Sequence, residues 1–261
     1  MNGKLAGKVA LITGGGTGIG RSAAQMLAAE GAAVGIAGRR KEPLDAVVQE
    51  IEKAGGRAAA RACDVSRVGE AKALGAWALE TFGRVDVLVN NAGHSSKVRS
   101  VRWADEEEWR SVVDTNLHGV WALTKAVLPN MLARRDGIII TVSSIAGIRP
   151  GLLGGAPYGA AKAAARNYMG SVLGELRNQG IRATTILPGE VDTPILDKRP
   201  LNPDARARAT MMMPEDIAEV ILLCATLPQR AAVEEIVMSA TFTRDVSKDL
   251  EVARNMGAPT S

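Results

Sequence analysis

Short apolar runs alternate with longer mixed stretches along most of this chain. Val9 to Thr13, Ala33 to Ala37, Arg57 to Cys63, Val85 to Asn91, Gly137 to Val142, Arg182 to Leu187 and Glu235 to Ser239 read as strands. Between them, residue composition predicts helices over Arg21 to Glu30, Leu44 to Ala54, Val68 to Phe82, Asp105 to Arg134, Tyr158 to Asn178 and Pro214 to Thr226. Strands that alternate with helices of about 10 to 15 residues argue for right-handed crossover units. The expected fold class is therefore α/β, a single doubly wound parallel sheet with helices on both faces. In such a sheet, function belongs at the carboxyl ends of the strands.

Length fits this picture: 261 residues with no internal repeat read as one domain over 1–261. The proline- and charge-rich piece at about 195–213 carries no strand pattern and suits a lid, while about 243–261 forms a weakly helical C-terminal tail. Hydrophobic residues make up 46% and charged residues 23%, as in a soluble globular protein. The balance of 32 basic against 28 acidic residues leaves only +4, and the basic residues are dispersed, so no nucleic-acid partner is expected. Cys63 and Cys224 form no C-x-x-C pair and read as buried thiols; no metal site is expected. The N-terminus lacks an apolar signal region and no run of about 20 apolar residues could span a bilayer, so a cytoplasmic protein without membrane attachment is expected.

Candidate chemistry clusters at the predicted strand ends. Gly14, Gly18 and Gly20 lie between the first strand and its helix, where glycines let the backbone turn sharply and approach a pyrophosphate at a helix N-terminus. Their spacing is G-x-x-x-G-x-G rather than the standard dinucleotide fingerprint. The second strand ends at Gly38-Arg39-Arg40, with no carboxylate to hold ribose hydroxyls. The two guanidinium forks match a 2′-phosphate, which favours NADP over NAD. Asp64 could accept from an adenine amino group or cap the next helix. Asn116 is locally unfavourable in mid-helix and is either a satisfied core amide or part of a site. Trp103, Trp109, Trp121 and His118 read as packing residues, and His94 as either a pocket or a surface residue.

Tyr158 and Lys162 are four apart, so on a helix they share one face. An ammonium so placed is expected to lower the tyrosine pKa toward working pH. Ser144, at the end of the fifth strand, could polarise a substrate oxygen.

Together, Thr13-Gly14-x-x-x-Gly18-x-Gly20, Asn90-Asn91-Ala92-Gly93, Asn116, Ser144, Tyr158-x-x-x-Lys162 and Pro188-Gly189 through Thr193 resemble the short-chain dehydrogenase/reductase family over residue 9 to about 226. The resemblance implies a Rossmann-type fold and an oxidoreductase that interconverts a secondary alcohol and a ketone. Tyr158 would then be the general acid/base, Lys162 would tune it and hold the nicotinamide ribose, Ser144 would bind the substrate oxygen, and Asn116 would anchor a water. Thr17, Ile19, Val65, Asn91, Ala92, Gly93, Pro188, Gly189, Val191 and Thr193 complete the implied cofactor contacts. A 3-oxoacyl thioester and a small hydroxy acid or aldehyde both stay open as substrates, and a homodimer or homotetramer is expected. The rival reading is a non-catalytic dinucleotide-binding regulator on the same fold. One departure from the family pattern is a Ser144-to-Tyr158 loop one residue longer than in many members.

Overall fold

The computed structural model describes residues 3–259; the first two residues of the N-terminal reading and the last two of the tail lie outside them. Seven strands form one sheet: β1 (Val9–Thr13), β2 (Ala33–Gly38), β3 (Arg57–Ala62), β4 (Val87–Asn90), β5 (Gly137–Val142), β6 (Ile181–Pro188) and β7 (Glu235–Met238). Their spatial order is β3-β2-β1-β4-β5-β6-β7, with every pairing parallel. The chain order reverses direction beside β1, whose neighbours are β2 and β4. A crevice therefore opens at the carboxyl ends of β1 and β4.

Alternation along the strands divides their side chains between two cores. Ala10, Ile12, Val87, Val89, Ile138 and Ile140 pack on one side, against α1 (Gly18–Ala29), α2 (Lys41–Lys53) and α8 (Pro214–Thr226). Leu11, Leu88 and Ile139 pack on the other, against α3 (Val68–Phe82), α5 (Gly119–Arg134) and α6 (Ala156–Leu176). Helices cover both faces, so β1, β4 and β5 are buried along their whole length, which is why they read as continuous apolar runs, while the edge strands β3 and β7 stay partly exposed. Leu11, Ile12, Leu88, Ile139 and Ile140 are fully buried, each contributing about 1.5–3 kcal/mol.

The expected helix over 105–134 is divided. Helix α4 (Glu106–Val113) passes through a π turn, Asp114–His118, before α5 begins. Asp105 caps α4 by accepting from the Glu108 N–H at 2.8 Å. Helices α1, α2 and α6 begin two to three residues earlier than expected, at Gly18, Lys41 and Ala156. The tail carries α9 (Ser247–Asn255), and α7 (Ala205–Arg208) lies in the piece after β6. Cys63 and Cys224 are buried free thiols.

Three packing expectations fail. Trp109 and Trp121 are exposed, and Lys72 lies over the Trp121 ring with its Nζ 5.8 Å from the ring centroid. His118 is also exposed and pairs with Asp114 at 2.8 Å, one turn back on the π segment. The inserted residue of that segment rotates the side chains that follow it. Among the described residues, no helix is long and apolar enough to cross a membrane.

Candidate active site

One large cleft, of about 1020 Å³, lies over the carboxyl ends of β1, β2, β3, β4, β5 and β6. Gly14, Thr17, Gly18, Ile19, Arg39, Arg40, Asp64, Val65, Asn91, Ala92, Gly93, Ser144, Tyr158, Lys162, Pro188, Gly189, Val191 and Thr193 all line it. Of the residues singled out from sequence, Gly20 and Asn116 do not, and each acts on a neighbour that does.

The first turn explains Gly20. Gly14 and Gly18 hold positive φ angles of 67° and 52°, which a side chain would strain. Gly20 has no such angle, but a Cβ there would lie 2.2 Å from the Gly14 carbonyl oxygen. Its bareness lets α1 sit against the turn. Thr17 at the N-cap makes no side-chain cap and the first turn of α1 holds no acid, so the first N–H groups and the positive end of the helix dipole face the cleft uncompensated.

Neighbouring strands lock this turn in place. The Thr13 hydroxyl accepts from the N–H groups of Asn91 and Ala92 at 3.1 and 3.0 Å, and Asn91 Nδ2 donates to the Thr13 carbonyl at 3.0 Å. Asn91 thus spends its amide tying β4 to β1. Asp64 accepts from the Ser66 N–H and hydroxyl at 3.1 and 2.8 Å, which is an Asx turn three residues before the α3 N-cap, Arg67. It therefore does not cap that helix.

Around Tyr158 the geometry is tighter. Ser143 Oγ donates to the Lys162 carbonyl at 2.9 Å, fastening the end of β5 to α6. Lys162 is buried, and its Nζ donates to the Val142 carbonyl at 2.8 Å and lies 5.6 Å from the centre of the Tyr158 ring. Burial pulls the Lys162 pKa down to about 8. The Tyr158 N–H donates to the hydroxyl of Ser96, which is fully buried.

The expected lowering of the Tyr158 pKa is not found. Burial raises it above the ordinary phenol value, against the Ser144 hydroxyl and the charges of Arg199 and Arg99, which lower it. The reason is physical: Lys162 meets the ring rather than the phenol oxygen, and its own charge is disfavoured by the same burial.

Asn116 sits on the π turn, fully buried. Its Nδ2 donates to the carbonyls of His94 and Val112 at 3.0 and 2.9 Å, while Oδ1 has no partner. A Cβ on Gly93 would lie 2.6 Å from that Oδ1 and 3.3 Å from Lys162 Nζ. Gly93 therefore keeps open a polar space between the two side chains. His94 lines the cleft, with its ring nitrogens 3.2 and 2.9 Å from the carbonyls of Ser95 and Ser111.

Sequence reasoning missed several cleft residues. Arg99 and Arg199 line it from segments without periodic pattern. Glu190 joins them, pairing with Arg199 at 2.5 Å and with Arg244 at 2.9 Å. The piece after β6 is tied down: Asp192 N–H donates to the Met212 carbonyl at 2.8 Å, and Arg208 pairs with Asp192 and Asp197 at 2.6 and 2.5 Å. Met211 and Met212 are buried and Met213 is half exposed.

A seven-stranded parallel sheet with a glycine turn after β1 and a serine, a tyrosine and a lysine at one cleft matches a known group of proteins. The family profile described as short chain dehydrogenase matches residues 8–204. The chain belongs to the short-chain dehydrogenase family. Among curated relatives, it is 36% identical over 232 residues to the 3-oxoacyl-acyl-carrier-protein reductase FabG of Thermotoga maritima, covering 85% of this chain and 92% of that protein. It is likewise 36% identical over 234 residues to an uncharacterized oxidoreductase of Staphylococcus aureus, covering 89% and 96%. A metagenomic short-chain oxidoreductase crystallised with NADP superposes with a TM-score of 0.80 at 34% identity, covering 92% of this short-chain dehydrogenase and 100% of that chain. An alcohol dehydrogenase from the archaeon Thermococcus sibiricus, complexed with 5-hydroxy-NADP, gives 0.81 at 30% identity, covering 91% and 98%.

Proposed function

We propose that this short-chain dehydrogenase interconverts a secondary alcohol and a ketone with NADP(H), through Tyr158, Lys162, Ser144 and Asn116. The observation that carries the reading is the convergence of Ser144, Tyr158 and Lys162 on one cleft with an uncapped helix N-terminus at its other end. Two similar structures hold NADP or its 5-hydroxy derivative, which supports the same cofactor here.

The cleft residues fit that cofactor. Diphosphate oxygens suit the free N–H groups at the start of α1, where Gly14 and Gly18 leave room for the backbone to approach. Exposed Arg39 and Arg40 offer their forks to a 2′-phosphate. Gly38 is free of close contacts: a Cβ there would find Leu44 at 3.7 Å. A carboxylate at 38 could be housed and is absent, so ribose hydroxyls lack the acceptor an NAD enzyme would give them. Bound there, NADP(H) supplies or accepts the hydride.

The protein's share is proton traffic and positioning. Tyr158 gives its phenol proton to the carbonyl oxygen in reduction and recovers it in the reverse direction, while the Ser144 hydroxyl steadies that oxygen. The unpartnered Asn116 Oδ1 and the space beside Gly93 suit a water that passes protons to Lys162. Segment 195–213 suits a lid, and the tail reaches it through Arg244, which pairs with Glu190 and Asp249. A second copy of the chain covers exposed Trp109 and Trp121 in a homodimer or homotetramer.

Initial rates with NADPH and NADH test the cofactor assignment. We expect a preference for NADPH that the double variant Arg39→Ala, Arg40→Ala abolishes through a rise of about tenfold to a hundredfold in the NADPH KM. Unchanged NADPH affinity in that variant would remove the arginines from the site. Tight NADPH binding with no turnover of any ketone or alcohol would favour the regulator.

A further inference from the structure

Arg99 is 2% exposed, yet it lies outside every α/β element and borders the catalytic end of the cleft. Its Nε donates to the Ser96 carbonyl at 3.1 Å and its Nη1 to the Leu153 carbonyl. Both contacts lead to Tyr158: the Ser96 hydroxyl accepts from the Tyr158 N–H, and Gly154, next to Leu153, lies against the Tyr158 ring. A Cβ on Gly155 would lie 2.9 Å from the Arg99 side chain, so the loop before α6 is shaped around this guanidinium.

What Arg99 lacks is a carboxylate. Arg199 pairs with Glu190, and Arg244 pairs with both Glu190 and Asp249. Two guanidinium groups thus take up two carboxylates, and among the described residues none of the ion pairs includes Arg99. Carbonyl oxygens solvate two of its five N–H donors, and its charge feels Asp249 and Glu190 only at a distance, without a direct ion pair. Burial first, and then the like charge of Arg199, whose side chain is 13% exposed, bring the Arg99 pKa down to about 10. Both fields reach the Tyr158 phenol. Beside a proton-transfer tyrosine, buried Arg99 has no carboxylate of the protein to pair with, and Arg199, already paired with Glu190, adds a second guanidinium to the same wall.

We infer that the substrate carries a carboxylate beside the reacting carbon, held by the guanidinium groups of Arg99 and Arg199, so that the enzyme acts on a small hydroxy acid and its keto acid. This inference rests on the oxidoreductase reading above and narrows its substrate. A planar fork facing a carboxylate makes two parallel charge-assisted bonds, and desolvation in the cleft strengthens them. The carboxylate then fixes the carbinol carbon relative to Tyr158 and Ser144 without any further polar group. Glu190 lines the same wall, and its carboxylate, held by Arg199 and Arg244, disfavours a second anionic group on the substrate.

NADP-linked oxidation of 2- and 3-hydroxy acids, each measured beside its methyl ester and beside a plain secondary alcohol of equal length, tests this. The wild-type enzyme should prefer one acid to its ester by about tenfold or more in kcat/KM, mostly through KM. In Arg99→Gln the ratio of acid to ester should fall to about one. Arg199→Gln, further from the α6 loop, should lower it in the same direction should the first variant fold poorly. Equal use of acids and esters by the wild type would overturn the inference and leave the oxidoreductase reading standing. A preference for the acid that survives in both variants would overturn the assignment to these arginines. Turnover of no alcohol at all would overturn both readings together.

Discussion

Lys162 is 4% exposed with a single hydrogen bond from Nζ, so its charge sits where the protein disfavours it. Its pKa is about 8 in the fold against 10.5 for an ordinary lysine. Between those values the unfolded chain holds a proton that the folded chain has released, so stability rises with pH across that window. Below about pH 8 both states are protonated and the full cost of burial is present; above 10.5 neither is, and the cost is gone. The change is on the order of 2–3 kcal/mol. Lys162→Met should lose this dependence, so urea denaturation of both proteins at pH 7.5 and 10.5 should show the wild type gaining on the variant. A constant difference between them would mean that burial does not shift this lysine. The same side chain makes the proposed proton path possible: an amine titrating near neutrality can receive and release protons in turn.

At the scale of elements, the π turn at Asp114–His118 matters most. It places Asn116 where Nδ2 closes on His94 and Val112 and Oδ1 faces the space kept open by Gly93. Gly93→Ala would fill that space and push the Asn116 amide, whose Oδ1 a Cβ would meet at 2.6 Å, with no change of backbone φ required. We expect kcat to fall by about a hundredfold, with NADPH binding changed much less. Stopped-flow turnover beside a binding titration checks it, and a normal kcat would show that the space carries no proton.

An extra residue in a helix leaves no mark on hydrophobic spacing, so the sequence pattern reads 105–134 as one helix. Asn116 stood out all the same, because an amide in mid-helix needs partners. Strands buried on both faces were easier to read: β1 and β5 match their expected bounds residue for residue, as does helix α3. Helix α1 was placed too late because Gly18 and Gly20 look like loop until the close approach to Gly14 is seen.

Across the whole molecule, one cleft collects the ends of six strands, β1 to β6, with the start of α6. Residues with motif spacing, such as Gly14, Tyr158 and Lys162, could be named before the fold was known. Arg99, Arg199, Glu190 and Arg244 could not, since they carry no local pattern and meet only when the segments before α4 and after β6 converge on α9. Exposed Trp109 and Trp121 were missed for the opposite reason, as size alone reads as burial. We propose a division of labour from this: the sheet and α1 offer the cofactor surface, and the irregular segments around Tyr158 choose the substrate.

The central claim is that Tyr158 moves the proton on this scaffold. Its most direct test is Tyr158→Phe, with NADPH binding followed by fluorescence and turnover followed by NADPH absorbance on whichever substrate the wild type uses. The ring and its packing survive this change, so NADPH affinity should stay within about threefold while kcat falls by about 10² or more. A variant that binds NADPH and turns over at the wild-type rate would contradict the account.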